Sequence, residues 1–111
     1  MTHPFTVRTS DDFAKDLKRL IKKYPSLSTD LEELNRLLSE EPIQGEPLGR
    51  DCYKIRLHIK SKRTGKRGGG RVITCVRVVE NNVYLLALYD KSEVETLSDD
   101  KITERLKSIN E

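Results

Sequence analysis

Tryptophan is absent from this chain of 111 residues, and aromatic residues of any kind are few, with two Phe and four Tyr. A core must therefore rest on Leu, Ile and Val, and the length suits one domain. Long apolar runs are lacking too. The longest, residues 83–89, falls far short of the ~20 residues that a membrane-spanning helix needs, so no membrane association is expected. The opening residues Met1-Thr2-His3-Pro4-Phe5 carry neither a basic stretch nor an apolar one, so no secretory signal is visible and a cytoplasmic location is expected. The two cysteines, Cys52 and Cys75, form no CxxC motif and no metal-ligand spacing. Reduced thiols are the simplest expectation. Neither a metal nor another cofactor is expected.

What the chain does have is a lopsided charge. Ten of its 21 Lys and Arg residues, and one of its 18 acids (Asp51), fall between residues 50 and 77. The formal charge of +3 thus hides about +9 in that segment and about −6 elsewhere. Crowding like charges costs stability, and a function that recovers the cost points to a polyanionic partner.

The apolar pattern predicts a mixed α+β fold. Residues 5–9 read as a short strand. Ser10-Asp11-Asp12 is a helix start, a capping hydroxyl followed by acids. Phe13, Leu17, Leu20 and Ile21 then recur at helical spacing, and Pro25 forces a stop. A second helix follows Ser26 or Ser28, with Leu31, Leu34, Leu37 and Leu38 as its stripe, and Pro42 ends it. The two helices should form an antiparallel hairpin that needs a sheet to cover. Residues 42–51, with Pro42, Gly45, Pro47 and Gly49, read as a loop. The period then changes to two. Tyr53, Ile55, Leu57 and Ile59 point one way; Lys54, Arg56, His58 and Lys60 point the other. After a Gly-rich basic turn, Val72, Thr74, Val76 and Val78 alternate with Arg71, Ile73, Cys75 and Arg77. Glu80-Asn81-Asn82 signals a hairpin turn. Residues 83–89 are apolar on both faces, as in an inner strand. Ser98-Asp99-Asp100 starts a last helix with Ile102, Leu106 and Ile109 as its stripe. The helical hairpin is expected to cover Tyr53, Ile55, Leu57, Val72, Val76 and Val78. The opposite face, with Lys54, Arg56, His58, Arg71 and Arg77, is expected to be wet and basic.

That face narrows the chemistry. It offers bases without carboxylates, which excludes glycosidase-type and two-metal sites. The segment around Gly65-Lys66 lacks the flanking Gly and Ser/Thr of a phosphate-binding loop and leads into a strand, which excludes nucleotide hydrolysis. RNA cleavage by internal attack of a 2′-OH remains compatible. It needs a proton acceptor, charge stabilisation at phosphorus and a proton for the leaving 5′ oxygen, all without a metal if cations surround the phosphate. Crowded cations lower one another's proton affinity, so a Lys among Arg residues can act as a base. His58 is a candidate acid or base.

Three stretches carry a family resemblance: Asp51-Cys52-Tyr53-Lys54-Ile55-Arg56-Leu57, then Gly65-Lys66-Arg67-Gly68-Gly69-Gly70-Arg71-Val72-Ile73, then Tyr84-Leu85-Leu86-Ala87-Leu88-Tyr89-Asp90-Lys91. In their order along the chain they resemble the RelE/ParE superfamily of bacterial toxins, in its RelE-like/HigB-like branch, over roughly residues 5–109. The resemblance implies a β-α-α-β-β-β-α arrangement, a helical hairpin on one face of a mainly antiparallel sheet. It implies the toxin of a type II toxin–antitoxin pair that enters the ribosomal A site and cuts mRNA. Its partners would be a cognate antitoxin, mRNA and the ribosome. Lys54 and Arg56 match the basic positions of the family's site, and Arg71 matches the arginine that stabilises the transition-state phosphate. Arg50, His58, Lys60, Lys62, Arg63, Lys66, Arg67, Arg77 and Tyr89 are the expected contacts to RNA. The family's arginine after the last strand and its tyrosine near the last helix have no direct match; Lys91 or Tyr89 would stand in. The resemblance also admits a ParE-like inhibitor of DNA gyrase, or a catalytically weak relative that binds only RNA and antitoxin. The density of bases favours the nuclease.

Overall fold

Ser10 begins the first helix as its composition predicts. In the computed structural model, which describes residues 4–62, 69–94 and 96–110, its hydroxyl accepts a hydrogen bond from the Phe13 N–H at 3.1 Å. Strand β1 (Thr6–Thr9) leads into helix α1 (Asp11–Ile21), and helix α2 (Leu27–Glu40) returns after a turn at Pro25. Strands β2 (Glu46–Gly49), β3 (Cys52–Leu57), β4 (Gly70–Arg77) and β5 (Asn82–Asp90) follow, and helix α3 (Asp99–Ile109) comes last. The sheet order is β1-β5-β4-β3-β2. β1 runs parallel to β5; the other neighbours are antiparallel. The α+β class and the helical hairpin on one sheet face are as the sequence predicts. β5 is indeed an inner strand.

Strand β2 is a correction, because residues 42–51 read as a loop. Its glycines and proline suit an edge strand instead. Pro47 lacks an N–H to donate, which only an edge tolerates. Gly49, Arg50 and Asp51 all have positive φ, and Arg50 and Asp51 turn β2 tightly into β3.

Two apolar layers flank the sheet. On one side Phe13, Leu20, Tyr24, Leu27, Leu31, Leu34 and Leu38 of the helical hairpin bury Ile55, Leu57, Ile59, Val72, Val83, Leu85 and Leu88. On the other, Ile102 and Leu106 of α3 bury Cys52, Ile73, Cys75, Leu86, Ala87 and Tyr89. Half of the face expected to be wet is therefore a second core, because the α3 stripe needs apolar surface of its own. Val78 is a further correction. It lies past the end of β4, is 65% exposed, and is not covered by the hairpin. β5 carries a bulge opposite Ile73 and Thr74, so that consecutive Leu86 and Ala87 both face α3.

β1 pairs only with residues 82–85, which leaves the edge of β5 beyond it without a strand neighbour. Side chains close it. Asp16 of α1 accepts from the Leu88 N–H at 3.0 Å, and Arg105 of α3 donates to the Leu86 carbonyl at 2.9 Å while pairing with Asp16 at 2.6 Å.

At the end of β5, Asp90 is fully buried. Its carboxylate accepts from the Tyr24 hydroxyl at 2.6 Å, the Lys62 ammonium at 2.5 Å, and both the Ser92 N–H and hydroxyl, at 2.9 and 2.7 Å. Burial opposes the charged form, but the bonds from Lys62, Tyr24 and Ser92 outweigh it and hold the carboxyl far below the usual carboxylate range. A carboxyl whose pKa is lowered by folding stabilises the protein fully above its unfolded value of about 3.9, and that contribution fades as pH falls through the lower folded value. Asp90→Asn should cost about 3–5 kcal/mol at neutral pH by stranding the Lys62 charge, measured by urea unfolding. Between pH 5 and 3 the variant's stability should fall less steeply than that of the parent.

Candidate functional site

Strand pairing brings four cations to one cavity. Lys54 and Arg56 are two apart on β3 and share a face. Arg71 of β4 is the cross-strand partner of Arg56. Lys91 follows β5 directly, and its N–H donates to the Gly69 carbonyl at 3.2 Å. All four line a cavity of about 670 Å³, together with Gly45, Glu46 and Thr96. The sequence and the resemblance single out all four for chemistry; His58 and Tyr89, the other candidates, do not line the cavity.

Arg71 is the least ordinary of them. It is 4% exposed, yet among the described residues its guanidinium donates only to the neighbouring Gly70 carbonyl, at 2.9 Å. Among the described residues no carboxylate pairs with Arg71, Arg56 or Lys91. Buried charges are ordinarily paired, so a guanidinium lining a cavity in this state suits an incoming anion that accepts two N–H bonds side by side.

Glu46 was missed by sequence reasoning, and it corrects the expectation of a face without carboxylates. The β2–β3 register sets Glu46 beside Lys54, and the two side chains pair at 3.3 Å. Gly45 makes that approach possible. It has φ of +87°, and a Cβ there would collide with the Lys54 carbonyl. The signal was present in the sequence as glycines on both sides of Glu46-Pro47-Leu48, but a four-residue strand broken by Pro has no readable period.

The other expected contacts to RNA are dispersed. Arg50 turns away at the β2–β3 turn and donates to the Thr103 hydroxyl of α3 at 2.6 Å. His58 and Lys60 lie along a separate groove with Asp30 and Glu33 of α2, where Lys60 pairs with Glu33 at 3.0 Å. That pairing and its hydrogen bond raise the Lys60 pKa. Lys62 is committed to Asp90 and lies over the Tyr24 ring, 5.6 Å from its centre. Arg77 bonds the Cys75 sulfur and Asn110 at the far end of the sheet. Tyr89 is buried against α3, and its hydroxyl has no partner among the described residues. Arg63, Lys66 and Arg67 lie outside the described residues. Among the described residues no group of three or more His, Cys, Asp or Glu could hold a metal ion, and no helix is long and apolar enough to cross a membrane.

No protein-family model matches the sequence, and no curated protein matches it either. Solved structures do match the fold. A doubly substituted RelE toxin of E. coli in the free state superposes with a TM-score of 0.60 at 20% identity, over 94% of this chain and 96% of that one. The chain has the RelE fold. The isolated E. coli RelE toxin gives a TM-score of 0.56 at 18% identity, covering 95% and 98% of the two chains. The toxin–antitoxin complex RelBE2 of Mycobacterium tuberculosis gives 0.58 at 22% identity, covering 81% and 94%. On this RelE fold the cation cavity sits where β3, β4 and the end of β5 meet.

If the four cations of the cavity engage phosphates, binding of a single-stranded RNA oligomer should weaken with salt at a log–log slope on the order of −3. Fluorescence anisotropy across a salt series checks this. Replacing Arg56 and Lys91 by Ala should flatten the slope by more than one, whereas replacing Arg50 and Arg77 should leave it unchanged.

Proposed function

We propose that this chain is the toxin of a type II toxin–antitoxin pair, and that it cuts mRNA in the ribosomal A site without a metal. The RelE fold supports the first half of this reading. The observation that carries the second is the nearly buried Arg71 guanidinium, unpaired among the described residues, on a cavity shared with Lys54, Arg56 and Lys91. Such a site accepts a phosphodiester and stabilises the extra negative charge that develops when a fifth oxygen bonds to phosphorus.

The chemistry follows from the residues present. The 2′ oxygen of the RNA attacks the adjacent phosphorus, the bond from phosphorus to the 5′ oxygen breaks, and a 2′,3′-cyclic phosphate and a free 5′-hydroxyl result. Arg71 and Arg56 hold the equatorial oxygens. The 2′-OH proton passes to Lys54 or to Glu46, the carboxylate that Lys54 holds at the cavity. Lys91 is placed on the same cavity to supply a proton to the departing 5′ oxygen.

The antitoxin partner follows from the same reading. The RelBE2 structure is a toxin–antitoxin complex, and an acidic peptide segment laid over the cavity would neutralise its cations and exclude RNA. The cytoplasm, where ribosomes and messages are, is the location that this function requires.

Induced expression in bacteria tests the proposal. Growth should stop, and primer extension should show new cuts in translated messages. Arg71→Ala should lower the cleavage rate by about 10²–10³-fold, with the fold intact by circular dichroism. Growth arrest that survives Arg71→Ala unaltered, or that comes with gyrase-linked DNA breaks and uncut messages, overturns the nuclease.

A further inference from the structure

The two cysteines, 23 positions apart in sequence, are cross-strand partners on β3 and β4. The Val76 N–H donates to the Asp51 carbonyl at 2.9 Å, which makes Cys52 and Cys75 a non-hydrogen-bonded pair of the antiparallel ladder. In such pairs the Cα atoms stand about 4.5 Å apart and the side chains project from the same face. A disulfide needs Cα atoms roughly 4.4–6.8 Å apart, so the backbone already has the spacing. Both sulfurs are present as free thiols beneath α3, each residue 1% exposed.

The surroundings differentiate the two. The Arg77 guanidinium donates to the Cys75 sulfur at 3.3 Å. The Cys52 thiol has two acceptors in reach, the Arg50 carbonyl at 3.6 Å and the Cys75 sulfur. The hydrogen bond from Cys52 and the Arg77 charge lower the Cys75 pKa against the opposing effect of burial, while the same hydrogen bond and burial raise that of Cys52. The guanidinium beside Cys75 thus favours its thiolate over that of Cys52, whose sulfur lies next to it.

We propose that Cys52 and Cys75 form a peroxide-reactive dithiol site that closes to a disulfide across β3 and β4. The Cys75 thiol gives its proton to solvent, the thiolate attacks one oxygen of hydrogen peroxide, the O–O bond breaks, and the departing hydroxide takes that proton back from solvent and leaves as water, with a sulfenic acid on Cys75. The Cys52 sulfur then attacks the Cys75 sulfur. The S–O bond breaks, and the second hydroxide leaves with the Cys52 proton as water. Two electrons pass from the sulfur pair to the peroxide, and two thiols and one peroxide become one disulfide and two waters. A peroxide is hardly larger than water, which suits a pair covered by a helix. The site does not depend on the reading of the cation cavity, since neither cysteine lines it.

Mass spectrometry of the native full chain decides the matter. After treatment with hydrogen peroxide and alkylation under denaturing conditions, the monomer should lack both alkyl groups and be lighter than the reduced chain by two hydrogens. Dithiothreitol should restore both alkylation sites. Cys52→Ser should yield a dimedone adduct on Cys75, and Cys75→Ser a several-fold slower adduct on Cys52. Full alkylation of both thiols after peroxide, disulfides only between chains, or closure at an equal rate in the urea-unfolded chain would each overturn the proposal. So would faster labelling of Cys52 in Cys75→Ser than of Cys75 in Cys52→Ser.

Discussion

A single buried carboxylate ties the parts that frame the cavity. Asp90 ends β5, and it binds Tyr24 from the turn after α1, Lys62 from the segment after β3, and Ser92 from the segment after β5. No two of these are close in sequence except Asp90 and Ser92, so the contacts form only when the hairpin, the sheet and both segments are in register. Such a network costs much to break and gains little over apolar packing of the same volume. Its value lies in position. Lys62 leads into the basic segment, Lys91 sits between Asp90 and Ser92, and the Lys91 N–H holds Gly69 at the start of β4.

Folding pairs part of the lopsided charge of the sequence and disperses another part. Three of the ten bases between residues 50 and 77 meet acids that lie outside that segment: Lys54 with Glu46, Lys60 with Glu33, and Lys62 with Asp90. Two more, Arg50 and Arg77, reach neutral groups around α3. What is left at the cavity is a small number of cations fixed by strand geometry. A fixed cluster serves chemistry on one phosphate better than a broad basic surface does, because preorganised charges need not move as the reaction proceeds.

Much of the fold is legible in the residues. Ser10 and Ser98 cap α1 and α3 with their hydroxyls, and the two-residue period of β3 and β4 places Lys54, Arg56 and Arg71 on one side of the sheet. Those signals are local, and local physics determines them. The misses were set by tertiary partners. β2 exists because β3 offers a ladder to an edge segment whose own composition favours turns. The apolar half of the second face is covered because α3 folds back onto it, and nothing within β3 or β4 distinguishes Ile73 and Cys75 under a helix from residues facing water. Lys62 and Lys60 read as free bases because their acids lie 28 and 27 positions away.

The bulge in β5 has an electrostatic consequence. Before it the odd-numbered Val83 and Leu85 face the helical hairpin; after it the even-numbered Leu88 and Asp90 do. Had the strand kept a strict alternation from Val83 onward, the Asp90 carboxylate would emerge beside Arg71 and neutralise it. The one residue by which β5 outruns β4 reverses parity just in time, so the acid is consumed inside the protein and, among the described residues, the guanidinium meets no carboxylate.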